Sequence, residues 1–128
     1  MIGEWDPSAT NTTTRPTAEL LEQLVPFSDA PQKAEAAIVQ HALSVLKASA
    51  EDWDRAFTDV SDDTLIAAAF FYVRAEMVLP GFESGSSNPA IHIFRYLKSQ
   101  GRRPDKDTVK ALKAATDNRF IPHGDALA

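Results

Sequence analysis

The sequence contains no cysteine, and this absence removes several kinds of chemistry. Disulfide cross-links, thiolate metal sites and a cysteine nucleophile are all excluded. Because disulfides persist in oxidising compartments, a chain without them is typical of a reducing one. Residues 1–6 also show neither the basic segment nor the apolar segment of a secretory signal. We therefore expect a cytoplasmic protein.

Long hydrophobic runs are missing as well. The longest apolar run, residues 65–73, has nine residues, whereas a transmembrane helix needs about 20. Hydrophobic residues make up 44% of the chain and charged residues 24%, which is the composition of an ordinary globular domain. We therefore expect no membrane partner, and a chain of 128 residues that folds as one domain with its own core.

The alternation of apolar and polar residues that marks strands is not sustained in any segment. Caps and apolar stripes instead predict helices over residues 18 to about 25, 30 to about 48, a short segment holding 53 and 57, 62 to about 79, 89 to about 100 and 106 to about 116. The residues expected to cap them are Thr17, Asp29, Ser49, Ser61, Asn88 and Asp105. Gly101 is expected to adopt a left-handed conformation after the fifth helix.

These segments define the predicted fold. Residues 1–16 are polar and rich in threonine, so we expect a flexible N-terminal arm, whose Trp5 docks on its own domain or on a partner. A single helical domain is expected over residues 17–124, followed by a tail at 125–128. The helix after Ser61 is apolar around almost its whole circumference, which predicts a central position. The fold class is therefore all-α, a compact bundle of five to six helices with a mobile N-terminal arm.

Each half of the chain is poor in charge of one sign. Residues 1–89 carry five basic and fourteen acidic side chains, a net charge of −9, and residues 90–119 carry eight basic and three acidic ones, a net charge of +5. Such asymmetry indicates an anionic partner. It is equally what two halves of one domain need if they attract each other, so the sequence leaves both interpretations open.

Three kinds of functional site lack their usual signals. The loop at 81–88 precedes a helix, as phosphate-binding loops do, but it has no Walker lysine and follows no strand. His41, His92 and His123 lie on separate elements and do not show the spacing of metal ligands. The serines at 84, 86 and 87 precede His92 without a nucleophile elbow. We therefore expect no metal, no cofactor and no catalytic residue.

Arg74 and Glu76 are charged residues that follow the most apolar stretch of the chain. Because an unpaired charge near a core is costly, both need partners. The candidate pairs are Arg74 with Glu83 or Asp117, and Glu76 with Arg95 or Arg119. Beside this structural interpretation stands a polar binding pocket near a C-terminal turn at 117–124, lined by Arg74, Glu76, Asn88, Arg95, Asn118, Arg119 and His123. A small enzyme with a pocket at Glu76, Arg95, Arg119 and His123 is the catalytic alternative.

The last two predicted helices are basic, and they resemble a helix-turn-helix in outline. Binding of nucleic acid or another anion would use Arg95, Lys98, Arg102, Arg103, Lys106, Lys110 and Lys113. Asp105 and Asp107 argue against reading of DNA, because they lie at the start of the helix that would enter the groove. The isoelectric point near 5.1 argues against it too.

The sequence therefore predicts a small cytoplasmic binding or regulatory module that acts through protein–protein interaction. Its partner is expected to be another protein or a second copy of the chain. The contact surface would be either the basic 92–113 face or the acidic 51–63 region, which holds Glu51, Asp52, Asp54, Asp59, Asp62 and Asp63. Nucleic-acid binding and the small enzyme remain the alternatives.

Overall fold

The computed structural model describes residues 15–84 and 88–116. All regular structure in these two ranges is helical, so the all-α prediction is confirmed. The six α-helices of this part are α1 (Ala18–Leu24), α2 (Ala36–Ser44), α3 (Ala50–Phe57), α4 (Asp62–Val78), α5 (Pro89–Ser99) and α6 (Lys106–Ala114). Two 3₁₀ turns, Val25–Phe27 and Pro31–Lys33, connect α1 to α2. The arm predicted at 1–16 lies outside the described residues except for its last two, and so does the tail at 125–128.

Local sequence signals set most helix starts. Five of the six predicted caps accept a hydrogen bond from a backbone N–H in the first turn of their helix. They are Thr17 from Leu20 at 3.1 Å, Ser49 from Asp52 at 3.1 Å, Ser61 from Thr64 at 3.2 Å, Asn88 from Ala90 at 2.8 Å and Asp105 from Thr108 at 2.8 Å. The predicted starts of α1, α3, α4, α5 and α6 are therefore correct.

The predicted cap at Asp29 is wrong. The chain forms the 3₁₀ turn Pro31–Lys33, becomes extended at Ala34, and enters α2 with Glu35 as an N-cap that makes no side-chain hydrogen bond. The helix then ends at Ser44, four residues earlier than predicted. Asp29 instead accepts a hydrogen bond through its Oδ1 from Arg74 Nη1 at 3.2 Å. A contact with a distant residue thus replaces the local one.

The end of α5 is fixed by Gly101, as predicted. Gly101 has φ of +72°, its N–H donates to the Lys98 carbonyl at 3.1 Å, and the Arg102 N–H donates to the Leu97 carbonyl at 2.8 Å. These two bonds form a Schellman motif, which satisfies the last carbonyls of the helix.

Substitution of Gly101 by alanine tests this motif. A Cβ built on Gly101 meets no atom within 4 Å, so the cost comes from the left-handed backbone alone. We expect Gly101→Ala to lower the free energy of unfolding by about 1 kcal/mol, measured by urea denaturation. Gly101→Asn should cost less, because asparagine tolerates this conformation better. Equal stability of all three proteins would show that the motif is unimportant.

The core surrounds α4, which confirms the predicted central helix. Seven of its residues are buried: Leu65, Ala68, Ala69, Phe71, Tyr72, Val73 and Ala75. The helix packs against α1 and α5, and α3 packs against α5 and reaches α4 through Trp53, whose ring lies 5.9 Å from that of Tyr72. The Tyr72 hydroxyl donates to the Ala42 carbonyl at 3.0 Å and thereby ties α2 to α4.

No helix in the described ranges has the length and apolar character needed to cross a bilayer.

Candidate functional site

Asn88 and Glu76 meet at the centre of a polar cluster between α4 and α5. Asn88 is fully buried, and its Oδ1 caps α5. Its Nδ2 donates to Glu76 Oε1 at 3.0 Å and to the Tyr72 carbonyl at 3.5 Å. Glu76 Oε2 accepts from the Ser84 N–H at 2.8 Å. One amide and one carboxylate therefore hold the chain on both sides of the 85–87 segment against α4.

Arg74 lies on another side of α4, away from this cluster. Its Nη1 donates to the Ser28 carbonyl at 2.8 Å and to Asp29, and its guanidinium carbon lies 4.8 Å from the centre of the Phe70 ring. The predicted pair with Glu83 is wrong, and the other predicted partner, Asp117, lies outside the described residues. Arg74 therefore fastens the turn after α1 to α4.

Arg95 does not join the polar cluster either. Its side chain is exposed on α5, nearly two helical turns beyond Asn88. Within the described ranges Arg95 forms no ion pair with Glu76, so the predicted pair of these two residues is wrong. The remaining predicted pocket residues, Asn118, Arg119 and His123, lie outside the described residues. Of the seven, the structure brings Glu76 and Asn88 together.

A small cleft opens beside the cluster. Glu76, Met77, Glu83 and Thr116 line it, and its volume is about 180 Å³. Pockets for small molecules usually measure about 300–1,000 Å³, so this cleft is small for a substrate. The described histidine, aspartate and glutamate residues form no group suited to holding a metal ion.

A second candidate site is the seam where α3 packs on α5, which sequence reasoning did not identify. The buried Trp53 stacks on His92 with ring centres 6.2 Å apart, and Phe57 meets Tyr96 edge-on at 5.3 Å. His92 and Tyr96 are half-buried. The aromatic residues at 53, 57, 92 and 96 were the available sequence signal, since each pair is spaced by one helical turn.

The seam also divides opposite charges. We call Glu51, Asp54, Asp59 and Asp63 the acidic row, and Arg95, Lys98, Arg103, Lys106 and Lys110 the basic row; all nine are exposed. Lys113, predicted with the basic face, is half-buried. Arg102 Nε crosses between the two regions to Asp62 Oδ1 at 3.1 Å. One ion pair thus joins the two oppositely charged regions within the described residues.

The pKa of His92 depends on charges from both sides of this seam. Partial burial lowers its pKa from the ordinary value of 6.5, the nearby Arg95 lowers it further, and Asp54 acts in the opposite direction. The imidazole is therefore neutral at pH 7. Charges from both rows therefore act on one ring.

The lowered pKa of His92 predicts a pH dependence of stability. As the pH falls through 6.5, the unfolded state takes up the proton before the folded state does, so the free energy of unfolding falls below that pH. We expect His92→Gln to lessen this fall, and the His92 ring to titrate below 6.5 in NMR spectra. Ser99→Gln on the same helix is the control and should keep the wild-type slope. A titration midpoint of 6.5 or higher would contradict the assignment.

The start of α6 carries negative charge. Hydrogen bonds from the Thr108 side chain and then from its backbone N–H lower the pKa of Asp105, which holds this cap ionised. Asp107 is exposed in the same turn. Both carboxylates are therefore direct sequence neighbours of Lys106.

Comparison of the sequence with models of protein families, with curated proteins and with solved structures finds no match.

Proposed function

We propose that the chain is a small protein-binding module that docks through its basic row on an acidic partner surface. The observation that carries the proposal is the exposure of Arg95, Lys98, Arg103, Lys106 and Lys110. Among the described residues, Arg55, Arg74 and Arg102 form ion pairs, whereas the five members of the basic row form none. Their charge is therefore open to another molecule. A cytoplasmic location is part of the proposal, favoured by the absence of cysteine.

A protein partner is favoured over nucleic acid because of the carboxylates at the start of α6. The ionised Asp105 and the exposed Asp107 interrupt the positive potential where a recognition helix would approach the phosphates. The carboxylates of a protein surface are separate groups. They can pair with single lysine and arginine side chains of the basic row and avoid Asp105 and Asp107.

An enzymatic role has less support. Both oxygens of Glu76 accept hydrogen bonds from Asn88 and Ser84, which suits a structural carboxylate. Arg95, its proposed catalytic companion, lies on an exposed face. The Glu76 cluster accordingly supports the fold, and the charged surface is the better candidate for binding.

Fluorescence anisotropy with a labelled polyglutamate peptide tests the proposal. We expect binding at low salt that weakens as salt is added, and loss of binding in Lys98→Glu/Lys106→Glu. The matched control is Lys33→Glu/Lys47→Glu, which changes the net charge equally at exposed positions outside the basic row. Absence of binding, or equal loss in both variants, would overturn the proposal. Tighter binding of a DNA duplex than of polyglutamate would favour the nucleic-acid alternative.

A further inference from the structure

We infer that the acidic partner is a second copy of the chain, bound face to face across the α3–α5 seam. This inference rests on the proposed function, because it names the partner of the same charged surface. It adds an arrangement, in which the acidic row of each copy lies opposite the basic row of the other.

The adjacency of the two rows is the first step. The ring contacts of Trp53 with His92 at 6.2 Å and of Phe57 with Tyr96 at 5.3 Å place α3 beside α5. Asp62 at the start of α4 is joined to Arg102 after α5. The ring contacts lie along α5 and the ion pair lies just after its end, so acidic residues adjoin this basic segment at more than one place. Opposite charges therefore occupy neighbouring strips of one surface.

Symmetry gives the second step. A two-fold axis that lies in the interface and runs along the seam exchanges the left and right sides of the facing surface. The acidic row of each copy then meets the basic row of the other, and both contacts form at once. Such an isologous contact is the commonest arrangement in homodimers. A surface with charge of only one sign would repel its own copy in this arrangement.

The centre of the seam supplies the third step. His92 and Tyr96 are half-buried there, so part of each residue is accessible. The Arg102 guanidinium carbon lies 5.8 Å from the centre of the Tyr96 ring. Tyrosine and arginine are enriched at the centres of protein interfaces. The rings would form the centre of the contact, and the charged rows its rim.

Salt should control this association, because exposed ion pairs are individually weak and are screened by ions. In sedimentation velocity we expect the wild-type chain to form dimers at low salt and high protein concentration, and monomers at high salt. A wild-type chain that stays monomeric at low salt at every concentration would overturn the inference.

Charge reversal provides the decisive comparison. Reversal of the whole acidic row, Glu51→Lys/Asp54→Lys/Asp59→Lys/Asp63→Lys, gives both rows positive charge. Arg95→Glu/Lys98→Glu/Lys106→Glu/Lys110→Glu makes the basic row negative, because only Arg103 stays positive there. Each variant alone should therefore be monomeric. Mixed in equal amounts, they should form heterodimers, because both contacts again join opposite charges. Lys33→Glu/Lys47→Glu should dimerise like the wild type. Circular dichroism of each variant is the control for folding, and we expect the helical spectrum of the wild type.

The outcomes separate this inference from the proposed function. Dimers that survive either reversal, or a mixture that stays monomeric, would overturn the two-fold arrangement. Polyglutamate binding by a chain that never dimerises would overturn the second copy as partner while leaving the binding module intact. Loss of both the dimer and polyglutamate binding would remove both proposals.

Discussion

Replacement of Trp53 by alanine is expected to lower the free energy of unfolding by about 3–5 kcal/mol. Trp53 is fully buried and joins three helices. Its ring lies 5.8 Å from that of Phe57 on α3, 5.9 Å from that of Tyr72 on α4 and 6.2 Å from that of His92 on α5. Since domains of this kind have a total stability of about 5–15 kcal/mol, the variant should be close to unfolding.

Urea denaturation followed by far-ultraviolet circular dichroism measures this effect without relying on tryptophan fluorescence. Trp53→Phe is the matched control. The indole Nε1 has no hydrogen-bond partner in the described part of the chain, so phenylalanine keeps an aromatic ring and removes an unsatisfied donor. We expect this control to cost well under half as much as alanine. A loss below about 1 kcal/mol for Trp53→Ala would show that the seam is not part of the core.

The features that the sequence predicted well are those decided within a few residues. Ser49, Ser61 and Asp105 each bind an N–H three positions later, and Gly101 closes a motif formed with residues 97, 98 and 102. Such bonds depend on the local chain alone. The apolar circumference of α4 also predicted its central position, because a helix without a polar face must be covered by others.

Predictions that depended on distant residues were less successful. Asp29 has the side chain of a cap, but Arg74, 45 positions later, takes its carboxylate. The grouping of Arg74 with Glu76 was avoidable. Residues that are two positions apart on a helix are separated by about 200° of rotation, so the side chains of Arg74 and Glu76 necessarily face opposite sides of α4.

Charge composition predicted two opposed halves but not how they are arranged. The packing of α3 on α5 places Glu51 and Asp54 on a helix next to the one that carries Arg95 and Lys98, and it depends on ring contacts such as that between Phe57 and Tyr96. No local rule specifies which two helices meet. The expected pocket is also only partly accounted for, since Asn118, Arg119 and His123 lie outside the described residues.

Asn88→Ala has the second largest expected effect, a loss of about 2–4 kcal/mol. The variant loses the cap of α5, which is worth about 1 kcal/mol. It also removes the hydrogen bonds from Nδ2 to Glu76 Oε1 and to the Tyr72 carbonyl, which together are worth about 1–3 kcal/mol because one acceptor is a carboxylate. Asn88→Asp keeps the cap but sets a second carboxylate where Nδ2 lies 3.0 Å from Glu76 Oε1. Because two carboxylates so close cannot both ionise easily, we expect this variant to be destabilised at neutral pH.

A double-mutant cycle separates this repulsion from simple loss of packing. Glu76→Gln replaces the carboxylate by an amide. The amide Nε2 can donate to the new carboxylate of Asn88→Asp, and the amide oxygen can take the place of the Glu76 oxygen that accepts from the Ser84 N–H. The double variant should therefore be more stable than the sum of the single losses predicts, with a coupling energy of about 1–3 kcal/mol from urea denaturation. Additive losses would mean that the two side chains do not interact, and Asn88 would then act on α5 alone. A coupling energy of the expected sign would show that the Asn88 amide links the start of α5 to Glu76 on α4. The amide would then fix the position of α5, which is one of the two helices that form the seam.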